Sequence, residues 1–210
     1  MSENRSNWNK PIIGLAGGIG SGKTTVARML ETIGGRVIDF DRLAHTELGK
    51  PDVLKTLLDW WGSSIVSPVG DIDRGAIAEI VFGDPAQLQR LEELLYPRLM
   101  QLSEVLLAAA DAEPIVKAMV LDAPKLFEAG LDRLCDSVIF VDTLMRDRLH
   151  HVEQNRGWSE RELIRRENRQ KPLDQKRAFA DYVIVNHAGL DELRGQVERV
   201  FSSVLDSFKK

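Results

Sequence analysis

Residues 17–24, Gly-Gly-Ile-Gly-Ser-Gly-Lys-Thr, carry the spacing G-x-x-x-x-G-K-[ST], a pattern whose fixed positions each have a chemical task. Gly17, Gly18, Gly20 and Gly22 let the backbone curl until several N–H groups face one phosphate chain, with Ile19 and Ser21 contributing amides between them. A helix starting near Lys23 adds the partial positive charge of its N-terminus. Lys23 is of a length to reach the β- and γ-phosphates, and the Thr24 hydroxyl suits Mg2+. This stretch specifies a held nucleoside triphosphate. It leaves open where the phosphate goes.

Three classes compete for that answer. A guanine-reading switch needs Asn-Lys-x-Asp after the loop, and the chain has none; Asn9-Lys10 precedes the loop and runs into Pro11-Ile12. The matching D-x-x-G, Asp59 to Gly62, sits in a helical pattern. Two classes remain: a kinase for some nucleoside or nucleotide acceptor, and a protein that hydrolyses ATP without one.

Carboxylates favour transfer to a hydroxyl. In Val37-Ile38-Asp39-Phe40-Asp41 the two aspartates are two apart, so on a strand both face the same side, at the edge where the loop also lies. Asp41 there serves as a base for an acceptor hydroxyl, or it caps the following helix; position alone fits both. Asp122 likewise suits the Mg2+ shell or a cap before Ala123-Pro124.

A third feature is cationic. Between Arg146 and Arg177 ten Lys/Arg face six Asp/Glu, in a chain whose net charge is −4. In SERELIRRENRQ only Leu163 and Ile164 are apolar, and Arg161, Arg165 and Arg169 recur every four residues on one helix face. A thinly anchored arginine helix fits a lid over phosphates; the Glu162–Arg166 spacing equally fits a surface ion pair. Overall acidity argues against a general nucleic-acid binder.

Short apolar runs alternating with helical patterns predict a parallel sheet flanked by helices, an α/β fold. The strands are expected at Ile12–Ala16, Arg36–Phe40, Val116–Leu121, Ser137–Val141 and Tyr182–Val185. The first helix is expected from Lys23 to Ile33, closed by Gly34-Gly35, and the last over Leu190–Phe208. Between strands two and three, about 75 residues read as helices near Pro51–Trp61, Arg74–Phe82 and Pro85–Ala112, with Pro97 expected to kink or divide the last. The lone Cys135 excludes an internal disulfide and reads as a buried structural residue. The polar start, MSENRSNWNK, lacks a signal-peptide core and is expected to fray as a tail over 1–10; no apolar run reaches membrane-spanning length, and the expected setting is cytoplasmic.

With these residues in place, the chain resembles the dephospho-coenzyme A kinase family from about Pro11 to Gly189. The resemblance rests on GGIGSGKTTVA, VIDFDRLAH, DRGAIAEIVFGDP, LEELLYPRL, DAPKLFEAGLDRLCDSVIFVD and ENRQKPLDQKRAFADYVIVNHAG, in that order. It implies a P-loop kinase fold: a single domain over 11–210, its parallel five-stranded core at 11–41, 113–142 and 178–210. A helical acceptor-binding insert would occupy 42–112 and an arginine-bearing lid 143–177. It implies transfer of the ATP γ-phosphoryl group to the ribose 3′-hydroxyl of dephospho-coenzyme A, with Mg2+. Asp41, Lys23 and Arg148 would be catalytic; Gly17 to Thr25, Arg148, Arg156, Asn186 and Gly189 would bind ATP; Asp39, Asp41, Arg74, Tyr96 and Gln170 would bind the acceptor. Thr24, with Asp122, would hold the metal. Neutralising Arg148 or Arg156 is then expected to slow turnover and spare thermal stability.

The chain departs from the family pattern twice. Tyr96-Pro97 stands where His-Pro is usual, and Pro124-Lys125-Leu126 where Pro-Leu-Leu is usual. A tyrosine still donates a hydrogen bond and stacks. Lys125 either snorkels to solvent or meets an acceptor phosphate.

Overall fold

Ile12–Gly17 forms strand β1, and burial of all six residues explains its unbroken apolar and small composition. The protein is described here from a computed structural model, which covers residues 8–67, 70–187 and 189–209. Most of the expected N-terminal tail, with Pro68, Val69 and Ala188, lies outside them. Asn9 and Lys10 do not fray: Asn9 donates twice to the Asp111 carboxylate, at 2.9 and 2.8 Å, and Lys10 Nζ donates to the carbonyls of Ala110 and Glu113.

Strands β2 (Gly35–Asp39), β3 (Ala118–Asp122), β4 (Ser137–Asp142) and β5 (Tyr182–Val185) complete a parallel sheet in the order β2-β3-β1-β4-β5. The chain steps from β3 across β1 to β4, so the connections diverge at the carboxyl end of β1. That is the switch point at which open parallel sheets bind ligands. Helix α1 (Lys23–Thr32) buries Val26, Ala27 and Leu30 on the sheet, and α9 (Leu190–Phe208) buries Leu193, Val197, Phe201 and Val204 in the same core.

The described residues divide into two compact units. One comprises the chain to Asp39 and from Leu107 onward; the other is Phe40–Leu106. The second unit contains α2 (Phe40–Leu48), α3 (Pro51–Trp61), α4 (Arg74–Gly83) and most of α5 (Pro85–Ala112). Its own core joins Val53, Leu57, Ile65, Ile77, Leu91 and Leu95. Glu47, 1% exposed, lies between Lys50 and Arg98 at 2.5 and 3.4 Å. Arg98 also bonds Asp52, and that hydrogen bond holds the Asp52 carboxyl below its ordinary value.

Three expectations change. β2 stops at Asp39, and Phe40-Asp41 opens α2. The alternation that put Asp39 and Asp41 on one strand face therefore does not operate; Asp41 sits in a helix first turn, where a carboxylate is favoured by the axial dipole. Pro97 does not divide α5, which continues from Pro85 to Ala112; apolar anchors on both sides, Leu91 and Leu95 before it and Leu107 and Ala110 after it, outweigh one lost amide. The arginine-rich stretch splits into α6 (Met145–Arg156), α7 (Glu160–Glu167) and α8 (Leu173–Ala178). Arg169 falls beyond α7, so it does not extend the face of Arg161 and Arg165.

Candidate functional site

The turn from β1 into α1 has the backbone its glycines permit. Gly17, Gly20 and Gly22 have φ of 150°, 77° and 88°. Gly22 caps α1 in the left-handed region and its carbonyl accepts from Thr25 and Val26. Space is as restrictive as conformation. A Cβ on Gly20 would lie 2.6 Å from the Arg148 carbonyl oxygen, and one on Gly22 would lie 2.4 Å from Asn186 Nδ2.

Neighbouring elements fasten this loop chiefly through its carbonyls. Ser21, 1% exposed, accepts from Thr143 Oγ1 at 2.8 Å and Asn186 Nδ2 at 2.9 Å. His151 Nδ1 lies 2.8 Å from the Gly20 carbonyl oxygen, which fixes the proton on Nδ1 because a carbonyl only accepts. Lys23 folds back over the turn, donating to the Gly17 and Gly18 carbonyls at 3.1 Å each. Thr24 stands exposed at the second position of α1.

Arg148 arrives from α6. It is 6% exposed; Nη1 donates to the Ile19 carbonyl at 3.3 Å and to Glu167 Oε1, and Nη2 meets Met145 Sδ at 3.1 Å. Glu167, the last residue of α7, also accepts the Ile19 N–H at 3.1 Å. One turn earlier, Arg165 and Arg166 hold the Glu162 carboxyl down at about 2. Beside the loop, a cavity of about 100 Å³ is lined by Gly18, Asp142, Thr143, Arg148, Asp174 and Arg177, among others.

Across the strand ends, β3 lies between β1 and β2, with Asp122 registered opposite Leu15 and Asp39. Two carboxylates thus close neighbouring strands. Among the described residues no three His, Cys, Asp or Glu cluster as a metal cage. The Thr24 hydroxyl in the first turn of α1 and the Asp122 carboxylate at the end of β3 are oxygen donors of the kind Mg2+ takes, with waters and substrate phosphates as its other ligands.

The remaining expected residues divide. Asn186 is on the loop, and Gly189, φ 90°, precedes α9 as its cap. Arg156 ends α6 and sets its guanidinium 4.8 Å from the Trp158 ring, with Arg166 over the same ring at 4.1 Å. Gln170 Oε1 accepts from Lys176 Nζ at 2.8 Å and helps line a cavity of about 350 Å³ with Glu167, Lys171 and Pro172. Asp41, Arg74 and Tyr96 belong to the Phe40–Leu106 unit, Arg74 opening α4 and Tyr96 lying 42% exposed on α5. Cys135 is half-buried rather than fully buried and packs against Gly14; burial first, then Asp132, Asp136 and Asp181, push its thiol up.

Thr143, His151 and Glu167 escaped the sequence reading. Thr143 follows the end of β4, a position at which a site residue is expected; His151 and Glu167 offered no such signal.

Comparison with known proteins agrees with this geometry. The family model for dephospho-CoA kinase (CoaE) matches residues 11–192. A dephospho-CoA kinase from Thermobifida fusca is 37% identical over 194 residues, which is 91% of this chain and 95% of that one. One from Rhodopirellula baltica is 37% identical over 203 residues, 94% of this chain and 92% of its own length. The crystal structure of TT1252 from Thermus thermophilus superposes with a TM-score of 0.79 at 31% identity, covering 92% of this chain and 97% of the other.

Proposed function

The chain belongs to the dephospho-CoA kinase family, and on that premise we propose that it transfers the γ-phosphoryl group of ATP to the 3′-hydroxyl of the dephospho-coenzyme A ribose, giving coenzyme A and ADP. This is the last step of coenzyme A synthesis. The observation carrying the reading is a complete phosphate loop at the sheet's switch point, within a family match running from residue 11 to 192.

Phosphoryl transfer leaves little covalent work to the protein; positioning and charge neutralisation dominate. The amides of residues 18–24 receive the donor phosphates. Lys23 leaves the Gly17 and Gly18 carbonyls for the β- and γ-phosphates, and Arg148 neutralises charge that develops on the moving group. Asp41 takes the acceptor proton, and Asp39, Arg74, Tyr96 and Gln170 orient the acceptor. Residues 42–112 supply the acceptor-binding insert and 143–177 the lid. Thr24, with Asp122, would hold Mg2+, which would supply positive charge to offset that of the phosphates. Asn186 and Gly189 border the nucleotide, and Arg156, held beside Trp158, binds ATP from the lid. Dependence on ATP and a single free thiol, Cys135, support a cytoplasmic setting. Among the described residues no helix is long and apolar enough to cross a membrane.

Purified protein, Mg·ATP and a panel of acceptors decide the matter, followed by ADP release and product mass. ADP release stimulated by dephospho-coenzyme A, with product 80 Da heavier by roughly one phosphoryl group, is the expected result. Stimulation by a different nucleoside alone, or release indifferent to every acceptor, overturns it.

A further inference from the structure

Glu167 is a carboxylate seated on a phosphate loop. Its Oε1 accepts the Ile19 N–H at 3.1 Å and pairs with Arg148 Nη1, while the same guanidinium nitrogen reaches the Ile19 carbonyl at 3.3 Å. The fit is close: a Cβ on Gly18 would lie 2.6 Å from Arg148 Nη1 and 3.0 Å from Glu167 Oε1. The side chains of Arg148 and Glu167 are 7% and 17% exposed, so water screens the pair poorly. A loop amide and a neighbouring arginine are the donor set that a nucleotide phosphate oxygen uses.

Two anions cannot share those donors without a cost in like-charge repulsion. The carboxylate also rides on an element built to yield. Helix α7 spans only Glu160–Glu167, and Leu163 is its one buried residue. Releasing Glu167 therefore gives up little packing.

We propose that Glu167 is an internal competitor of the nucleotide's phosphates: it occupies the Ile19 amide and Arg148, and a polyphosphate must displace it to bind. The proposal rests on the loop's reading as a triphosphate site, and not on the identity of the acceptor. Its consequence is twofold. Arg148 is held aimed at the loop before the phosphates arrive, and polyphosphate affinity is set lower than the loop alone would give.

Titration calorimetry on the full chain, without any acceptor, tests this with Glu167→Gln and Glu167→Ala. The probes are Mg·ATP, Mg·ADP, inorganic tripolyphosphate and adenosine. Removing the charge is expected to tighten ATP and tripolyphosphate roughly tenfold, the scale of one poorly screened like-charge contact, and to leave adenosine unchanged. Adding formate to Glu167→Ala should weaken tripolyphosphate binding again, by returning a carboxylate to the same donors. A melting temperature lowered alongside tighter polyphosphate binding is the combination that a supporting role for Glu167 does not produce. Unchanged or weaker ATP and tripolyphosphate binding in both variants, or equal tightening of adenosine, overturns the proposal. Because no acceptor is present, failure of the phosphotransfer assay leaves this readout intact.

Discussion

Lys176, 2% exposed, directs its ammonium at Glu128 Oε1 and Gln170 Oε1, each at 2.8 Å. Glu128 also accepts the Lys171 N–H at 2.7 Å. One buried charge pair thus ties the segment after α7 to the turn following β3. Burial by itself would raise the Glu128 carboxyl; the hydrogen bonds from Lys176 and Lys171 outweigh it and leave the group below its ordinary value of 4.5.

A folded-state value below the unfolded one means the pair stabilises the protein above about pH 4.5 and loses that contribution as pH falls further. Lys176→Met leaves the carboxylate without its counter-charge and is expected to cost about 3 kcal/mol at neutral pH. Thermal melts from pH 3 to pH 7 should show the gap between wild type and variant closing on acidification. A constant gap would locate the loss in packing instead.

Asp41→Asn is expected to keep ATP binding and lower turnover by roughly 10²–10⁴. Single-turnover rates with saturating Mg·ATP and dephospho-coenzyme A measure it. Turnover within about threefold of wild type would leave Asp41 as a residue of the α2 first turn only.

Arg148→Gln is expected to do more than slow turnover. Its guanidinium is buried against Glu167 and Ile19, so the substitution strands a carboxylate, and the expected loss is about 3 kcal/mol, or roughly 6–12 °C in Tm for a chain of this size. Arg156, exposed at the end of α6 against Trp158, should lower Tm far less when neutralised. Differential scanning calorimetry of the two variants checks the contrast, which replaces the expectation that both arginines are dispensable for stability.

Gly22→Ala is expected to abolish nucleotide binding. The residue holds φ 88° and its new methyl would meet Asn186 Nδ2 at 2.4 Å. Asn186→Ala opens that space but leaves the left-handed conformation, worth roughly 1–2 kcal/mol for a residue with a Cβ. The double variant should therefore recover stability in part. Full recovery of ATP binding would show that space alone mattered.

Much of the sheet and the loop could be read from composition because local rules decide them. β5 and α9 begin and end where apolar runs and helical periodicity predict, at Tyr182–Val185 and Leu190–Phe208. The phosphate loop announces itself through glycines whose backbone angles few other residues adopt. Only the strand placement of Asp41 fails: Val37 and Ile38 favour a strand, but the chain turns helical at Phe40, which is buried in α2. Thr143 carried a positional signal just past the end of β4, whereas His151 and Glu167 carried none; all three act on the loop across more than 120 residues of chain.

That last fact bears on when the loop acquires its shape. The Ser21 carbonyl is fastened by partners 122 and 165 residues away, on segments synthesised long after the motif itself. A nascent or truncated chain can contain every residue of Gly17 to Thr24 and still lack the anchored turn. Competence to hold a nucleotide is thus conferred late, once β4 has paired with the first strand and β5 has added beyond it, and the motif works as a receipt for completed folding.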